Sequence, residues 1–315
     1  MTQSLIKQLG EYLQRDLSMR ALLLLDPSLR DVFPDDWAPF ASASKWIIPI
    51  KHPALREDQM PLLVELEGRN SALLQASVIA ACAEQSSAQD ENEGGFAIRG
   101  WLLAQRGIDA ETVARHLAAC MRVASIAAGT ARMLRLQDRR VFEWMWPALS
   151  DSQQAALLGP LVSWIVLDRT SQLRSYEVEP GSSSSEFLLE LWQIEHAQQS
   201  VVAQDLLRGW AAFAELPAGY LERVTRTVEM LSTTGLKQRQ DLTLLGAYIL
   251  QVHPRLTAHP RIRSAIEDAV EGRSGLSNAL GLIPDPAGWD SIRDELIQGR
   301  DMSVQNRPDK EVRHG

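Results

Sequence analysis

Apolar residues in the first half of the chain recur either as short uninterrupted runs or at helical spacing. Short runs bounded by turn residues are typical of buried strands, and spacings of three and four are typical of helices. The two patterns alternate, which predicts a sheet with helices packed on it. The predicted strands are Ala21–Leu25, Trp46–Ile50, Leu62–Leu66, Phe96–Leu103, Ala131–Leu136, Leu161–Leu167 and Leu173–Val178.

The second half carries helical periodicity throughout. Pro260 suits the first turn of one helix, and Gly235 suits the left-handed position after the end of another. The pattern predicts an α+β or α/β N-terminal lobe, with a mixed sheet and packed helices, followed by an all-α C-terminal lobe. The helical stripes are Val202, Leu206, Trp210 and Phe213; Leu221, Val224, Val228 and Leu231; Leu242, Leu245, Ile249 and Val252; and Ile262, Ile266 and Val270.

A Pro-Gly-Ser run separates the two halves, and such a run favours a flexible linker. We therefore predict an α/β lobe over residues 1–178, a linker over 179–185 and a helical lobe over 186–298. Residues 299–315 are polar and almost free of large apolar side chains, which predicts a disordered tail.

Charge and hydropathy argue against several classes of protein. The 315 residues carry a formal net charge of −8, so no overall positive field attracts nucleic acid or anionic lipid. The N-terminus lacks the pattern of a secretory signal, and the longest apolar stretch is shorter than the roughly 20 residues that span a membrane. We expect a cytoplasmic protein with no nucleic-acid partner and no membrane insertion.

The chain lacks the common sequence motifs of catalysis. The chain has no Gly-x-Ser-x-Gly elbow, phosphate-binding loop, dinucleotide fingerprint or His-Glu-x-x-His. Cys82 and Cys120 are expected to be reduced and buried, with no CxxC or Cys/His pair nearby to bind zinc. The sequence therefore predicts a protein that is not an enzyme, with no catalytic, cofactor-binding or metal-binding residues.

Aromatic residues offer candidates for partner binding, because Trp and Arg are frequent at interface hot spots. If the segment from residue 141 to 147 is extended, its alternating aromatic residues point to one side. They then form either a core layer or an exposed patch with a basic rim, and we favour the core. The candidate partner-binding residues are Arg139, Arg140, Phe142, Trp144, Trp146 and Trp210.

Several weak motifs follow one another in a characteristic order: Ala21–Asp26, Arg99–Leu103, Arg135–Phe142 with Asp138 at its centre, Gly159-Pro160, and Val162–Trp164, and in the C-terminal lobe Gly235-Leu236, Asp241-Leu242 and His259-Pro260. This order resembles a domain-of-unknown-function family found in type VI secretion effector adaptors, called Tap or TEC proteins. Leu136 and Gln137 stand where the family has tyrosines.

The resemblance implies a chaperone-like adaptor that binds a toxic effector and helps to load it onto the VgrG spike. Two alternatives remain open. One is an immunity-type protein that binds a toxin to block it, and the other is an α/β enzyme with dispersed catalytic residues. Neighbouring genes for a toxin and a spike protein would favour the adaptor.

Overall fold

The computed structural model describes residues 1–14, 18–52, 55–66, 71–87, 95–105, 107–124, 131–178 and 186–305. For residues 87, 123, 124, 131, 132 and 299–305 the description is confined to the backbone. The chain divides into two compact units, Met1–Ser200 and Val201–Gly315, called here unit 1 and unit 2.

Unit 1 is built on a six-stranded sheet with the order β2-β3-β1-β4-β7-β8, beside a two-stranded hairpin of β5 and β6. Its strands are β1 (Arg20–Leu25), β2 (Lys45–Ile47), β3 (Leu62–Glu65), β4 (Ile98–Ala104), β5 (Arg122–Ala124), β6 (Ala131–Met133), β7 (Leu161–Leu167) and β8 (Leu173–Glu177). Its helices are α1 (Thr2–Gln14), α2 (Ala38–Ala41), α3 (Ala72–Ser87), α4 (Ala110–Cys120), α5 (Arg139–Met145) and α6 (Asp151–Leu158).

The central strands are buried on both faces, and this explains why they are apolar runs rather than alternating patterns. Leu23, Trp101 and Ile165 share a core with α1 and α3 on one face. On the other face Trp164 packs against Phe142 of α5, with ring centroids 4.3 Å apart. A strand covered on both sides needs apolar residues at successive positions.

Every neighbouring pair in the six-stranded sheet is antiparallel. The prediction of a sheet-containing lobe followed by a helical lobe is confirmed, and the pairing decides for α+β over α/β. The predicted mixed sheet is wrong in this respect. Apolar runs of this kind do not distinguish parallel from antiparallel strands, because burial on both faces produces them in either case.

The segment after β6 is helical rather than extended. Asp138 caps α5, since its side chain accepts a hydrogen bond from the Arg140 backbone N–H, and a 3-10 turn over Trp146–Ala148 follows. Phe142 and Trp146 are four residues apart, so a helix brings their rings to the same side, with centroids 5.4 Å apart. The alternation expected of an extended segment at 141–147 is therefore wrong.

The remaining helices are α7 (Leu191–Phe213), which crosses the division between the units, and α8 (Tyr220–Ser232), α9 (Arg239–Gln251), α10 (Pro260–Val270), α11 (Leu276–Gly281) and α12 (Ala287–Gln305). In unit 2 most of the predicted stripes are buried, but Phe213 and Val270 are exposed. Both lie at the last position of their helix, where the chain leaves the packed face.

The division between the units falls at Ser200, inside α7, whereas the composition placed a boundary at 179–185. Those seven residues lie outside the described part of the chain, so the linker stays a prediction. At the other end, the backbone of 299–305 belongs to α12, although we assigned it to a tail. Residues 306–315 are also outside the described part.

Within the described ranges, no helix combines the length and the apolar character that crossing a bilayer requires.

Close packing at Gly100 gives a test of the sheet. Gly100 has φ of +147°, and a Cβ there would lie 2.6 Å from the Ile165 carbonyl oxygen. We expect Gly100→Ala to lower the free energy of unfolding by about 2–4 kcal/mol, because backbone strain and overpacking combine. Gly107 also has positive φ but no atom within 4 Å of such a Cβ, so Gly107→Ala isolates the strain. Equal losses in urea unfolding of the two variants would contradict the close approach.

Candidate functional site

A buried ion cluster joins three segments of unit 1 at one end of the sheet. Arg99 of β4 lies between Asp26, which follows β1, and Asp138, which caps α5, and all three are at most 5% exposed. Arg99 Nη2 donates to Asp26 Oδ2 at 2.7 Å. Arg99 Nη1 lies 3.0 Å from Asp138 Oδ2 without the alignment of a hydrogen bond, so that contact is an ion pair.

Arg140 lies on the side of the cluster that faces solvent. Its Nε and Nη2 donate to the two oxygens of Asp138 at 3.0 and 2.8 Å, the bidentate geometry that a planar guanidinium favours. Burial alone would raise the pKa of Asp138, but Arg99 and Arg140 hold it well below its ordinary value. Asp138 is therefore a carboxylate at any physiological pH.

Arg139 points into the protein from the next position of α5. Its guanidinium donates to the Leu167 carbonyl oxygen at 3.1 Å and to Gln85 Oε1 at 2.9 Å, and it lies 3.5 Å from the centre of the Phe96 ring. Arg139 is 4% exposed, so it is not part of an exposed basic rim. It ties α5 to β7 and α3 instead.

Glu84 of α3 provides the negative charge near Arg139. Its carboxylate accepts hydrogen bonds from the backbone N–H groups of Ala97 and Ile98, at 2.8 and 3.1 Å. Burial raises the pKa of Glu84, and those two donors together with Arg139 oppose the rise. The charges of the cluster are thus matched by ion pairs and hydrogen bonds, an arrangement suited to fixing segments in place.

The aromatic candidates on α5 lie in different surroundings. Phe142 is 1% exposed and packs against Trp164, Trp146 and Tyr176, so it belongs to the core. Trp144, also 1% exposed, points the other way and stacks on His196 of α7, with centroids 4.3 Å and planes 5° apart. The preference for a core position is confirmed for these two residues, whereas Trp146 is half-buried.

Trp144 is also held by hydrogen bonds across the same contact. Its indole Nε1 donates to the His196 carbonyl oxygen at 2.8 Å. His196 Nε2 lies 3.2 Å from the Trp144 carbonyl oxygen, which can only accept. The contact fixes the first turns of α7 against α5.

Next to that contact, a short apolar surface is exposed. Leu188, Leu191 and Trp192 are 50%, 60% and 51% exposed, and we call them the 188–192 patch. Their backbone is anchored, because Gln153 of α6 donates to the Leu188 carbonyl oxygen at 2.8 Å and exchanges two hydrogen bonds with the buried Gln193. A group of exposed apolar side chains on an anchored backbone is a candidate binding surface.

Sequence reasoning missed this patch, although a signal was present. The run from Leu188 to Trp192 is apolar at four of its five positions and precedes the stripe that begins at Val202. That excess of apolar residues beyond what one helix face buries was the available sign.

Trp210, the remaining candidate, belongs to unit 2. It is half-buried, and the guanidinium of Arg223 lies 4.6 Å from the centre of its ring.

A Cys/His pair is present after all, contrary to the expectation from the sequence. Cys120 Sγ lies 3.5 Å from His116 Nε2, one turn away on α4, and the Leu157 carbonyl oxygen lies 2.9 Å from the same nitrogen. Burial raises the pKa of the Cys120 thiol to about 12 and lowers the pKa of His116. A thiol with that pKa is not ionised at neutral pH, so the pair is unsuited to nucleophilic chemistry.

The described residues contain no group of three or more His, Cys, Asp or Glu side chains placed to hold a metal ion.

Comparison with known proteins gives one match. Residues 23–156 match the family model described as Domain of unknown function (DUF4123), which is less than half of the chain. The matched segment runs from β1 to α6 and contains Asp26, Arg99 and Asp138. No curated protein and no solved structure matches the chain.

Because Asp138 lies in the buried ion cluster, we expect Asp138→Asn to lower the free energy of unfolding strongly and in a pH-dependent way. We expect a loss of about 3–5 kcal/mol of stability at pH 7, because the change leaves buried cations without their partner. The folded pKa of Asp138 lies below the unfolded value of about 3.9, so its contribution is complete above that value and is lost as pH falls. The gap between wild type and variant in chemical unfolding should therefore narrow below about pH 4.

Asp58→Asn is the matched control, since Asp58 pairs with Arg56 at 2.9 Å while two-thirds exposed. That variant should lose at most about 1 kcal/mol. A gap for Asp138→Asn that stays constant down to pH 2 would contradict an ionised Asp138.

Trp144 gives a separate test of the α5–α7 contact. We expect Trp144→Ala to cost about 3–5 kcal/mol in urea unfolding, because a buried ring and its hydrogen bond are both lost. Trp192→Ala removes a side chain of the same size from the surface and should change stability by at most about 0.5 kcal/mol. Similar costs for the two variants would show that one of the two residues is misplaced.

Proposed function

We propose that this protein is a type VI secretion effector adaptor, which binds a toxic effector and helps to load it onto the VgrG spike. The observation that carries the proposal is the match of residues 23–156 to a family associated with such adaptors. The segments that resemble those adaptors in sequence, Ala21–Asp26, Arg99–Leu103 and Arg135–Phe142, supply Asp26, Arg99 and Asp138 of the buried ion cluster.

In this proposal the effector binds at the 188–192 patch. The patch is apolar and exposed, and its backbone is held by Gln153 and Gln193, so little ordering is needed when a partner binds. Rigid preorganised surfaces lose less entropy on association than mobile ones. Trp192 supplies the large aromatic anchor that is enriched at interface hot spots.

The proposed adaptor performs no catalysis and acts in the cytoplasm of the cell that produces the effector. The unreactive Cys120–His116 pair is consistent with that role. The proposed partners are the effector and VgrG, and the protein itself is not delivered to the target cell.

A pull-down from the native host tests the proposal. Tagged protein, expressed from its own locus, should co-purify with VgrG and with one toxin-type effector. Deletion of its gene should abolish export of that effector and leave the deletion strain viable. Recovery of a toxin whose activity is blocked, together with death of the deletion strain, would instead identify an immunity protein. Recovery of neither partner would contradict the adaptor.

Trp192→Ala tests the binding surface once the effector is identified. We expect effector affinity to fall by about 30-fold, corresponding to about 2 kcal/mol, because a hot-spot aromatic residue is lost. Ile79→Ala is the matched control, since Ile79 of α3 is 52% exposed and lies outside the patch. Calorimetric titration that gives the same affinity for both variants would exclude the patch, and wild-type melting temperatures would show that both variants are folded.

A further inference from the structure

Unit 2 contains a cavity between α9 and the start of α12, with a volume of about 330 Å³. That volume lies at the lower end of the range of about 300–1,000 Å³ for small-molecule sites. It therefore suits a single side chain or a small molecule better than a large cofactor. The lining residues that matter here are Tyr248, Gln251, Asp285, Trp289, Asp290 and Arg293.

One wall of the cavity is a pair of stacked aromatic rings. The centroids of Tyr248 and Trp289 are 4.1 Å apart and their planes differ by 19°. Trp289 is only 5% exposed, and no described residue accepts a hydrogen bond from its indole N–H. The nitrogen is not one of the fully buried atoms that lack a partner, so the N–H is open to the cavity and can donate to a ligand acceptor such as a peptide carbonyl oxygen.

The charges of the cavity leave one carboxylate available. Arg293 Nη1 donates to Asp290 Oδ1 at 2.8 Å, and Arg293 Nε donates to the Val252 carbonyl oxygen at 3.3 Å, so those two charges neutralise each other. Asp285 is exposed at the cavity, and no ion pair joins it to a described residue. The cavity thus presents a net negative charge beside aromatic rings.

We propose that this cavity binds one basic side chain of a partner protein, an arginine or a lysine. Asp285 pairs with the cation, and the half-buried Tyr248 ring packs against it as in cation–π recognition, with Trp289 stacked behind that ring. The Trp289 indole N–H donates to the main-chain carbonyl oxygen of the same ligand residue. The site is separate from the 188–192 patch and does not rest on the adaptor function.

The test uses Nα-acetyl-arginine methylamide, which carries one guanidinium and two amide carbonyls, with the full-length protein. The readout is the indole N–H resonance of Trp289 in NMR, assigned by its loss in Trp289→Phe. We expect a saturable shift at millimolar probe that is weaker at high salt, since the ion pair is partly exposed. The isosteric neutral probe, Nα-acetyl-citrulline methylamide, should bind at least about fivefold more weakly.

Two aspartate variants assign the charge. Asp285→Asn should reduce the affinity for the arginine probe by about fivefold, to that of the citrulline probe. Asp294→Asn is the matched control on α12, because Asp294 is exposed and does not line the cavity, and it should bind like wild type.

The proposal is overturned by equal affinity for the arginine and citrulline probes, by wild-type binding of Asp285→Asn, or by no shift up to the solubility limit. Stronger binding of Nα-acetyl-glutamate methylamide would also overturn it, and would point to Arg293 as an anion site.

Discussion

Arg99 is buried in the sheet of unit 1, and a guanidinium in that position is tolerable only if carboxylates reach it from elsewhere in the chain. Asp26 and Asp138 do so, although they are 73 and 39 residues away in sequence. Removal of either aspartate leaves the buried Arg99 without one of its counter-charges in a low-dielectric environment. The ion cluster therefore requires β1, β4 and the start of α5 to meet at one place, and competing arrangements of these segments are penalised.

Asp138 extends this constraint from the sheet to the helices. One of its oxygens caps α5 through the Arg140 backbone N–H, and the other contacts Arg99. The position and direction of α5 follow, and with them the opposite orientations of Phe142 and Trp144. Trp144 then contacts His196 of α7. Gln153 and Gln193 bond to each other, and Gln153 also bonds to the backbone of Leu188, just before α7. A series of contacts that starts at the buried Arg99 and ends at the part-exposed Gln153 thus positions the exposed 188–192 patch.

In unit 1 the buried ion cluster and the exposed 188–192 patch consist of different kinds of residue. The charged groups of the cluster pair with one another, and the 188–192 patch is apolar. Unit 2 shows the reverse combination, because its cavity keeps an unpaired carboxylate and an indole donor beside aromatic rings. The two surfaces therefore differ in chemistry, since one is apolar and the other carries a negative charge.

Local features of unit 1 and unit 2 were determined by the sequence alone. Asp109 caps α4, Pro260 opens α10 and Gly235 has positive φ, as their chemistry requires, and the apolar runs are the central strands. The roles of Arg99, Asp138 and Arg139 were decided by the tertiary structure, because a charged residue in a sequence does not reveal which distant charge it meets. The helix at α5 and the exposure of Trp192 were decided in the same way. Both depend on contacts between segments far apart in the chain, whereas caps and turns depend on neighbours within one helical turn.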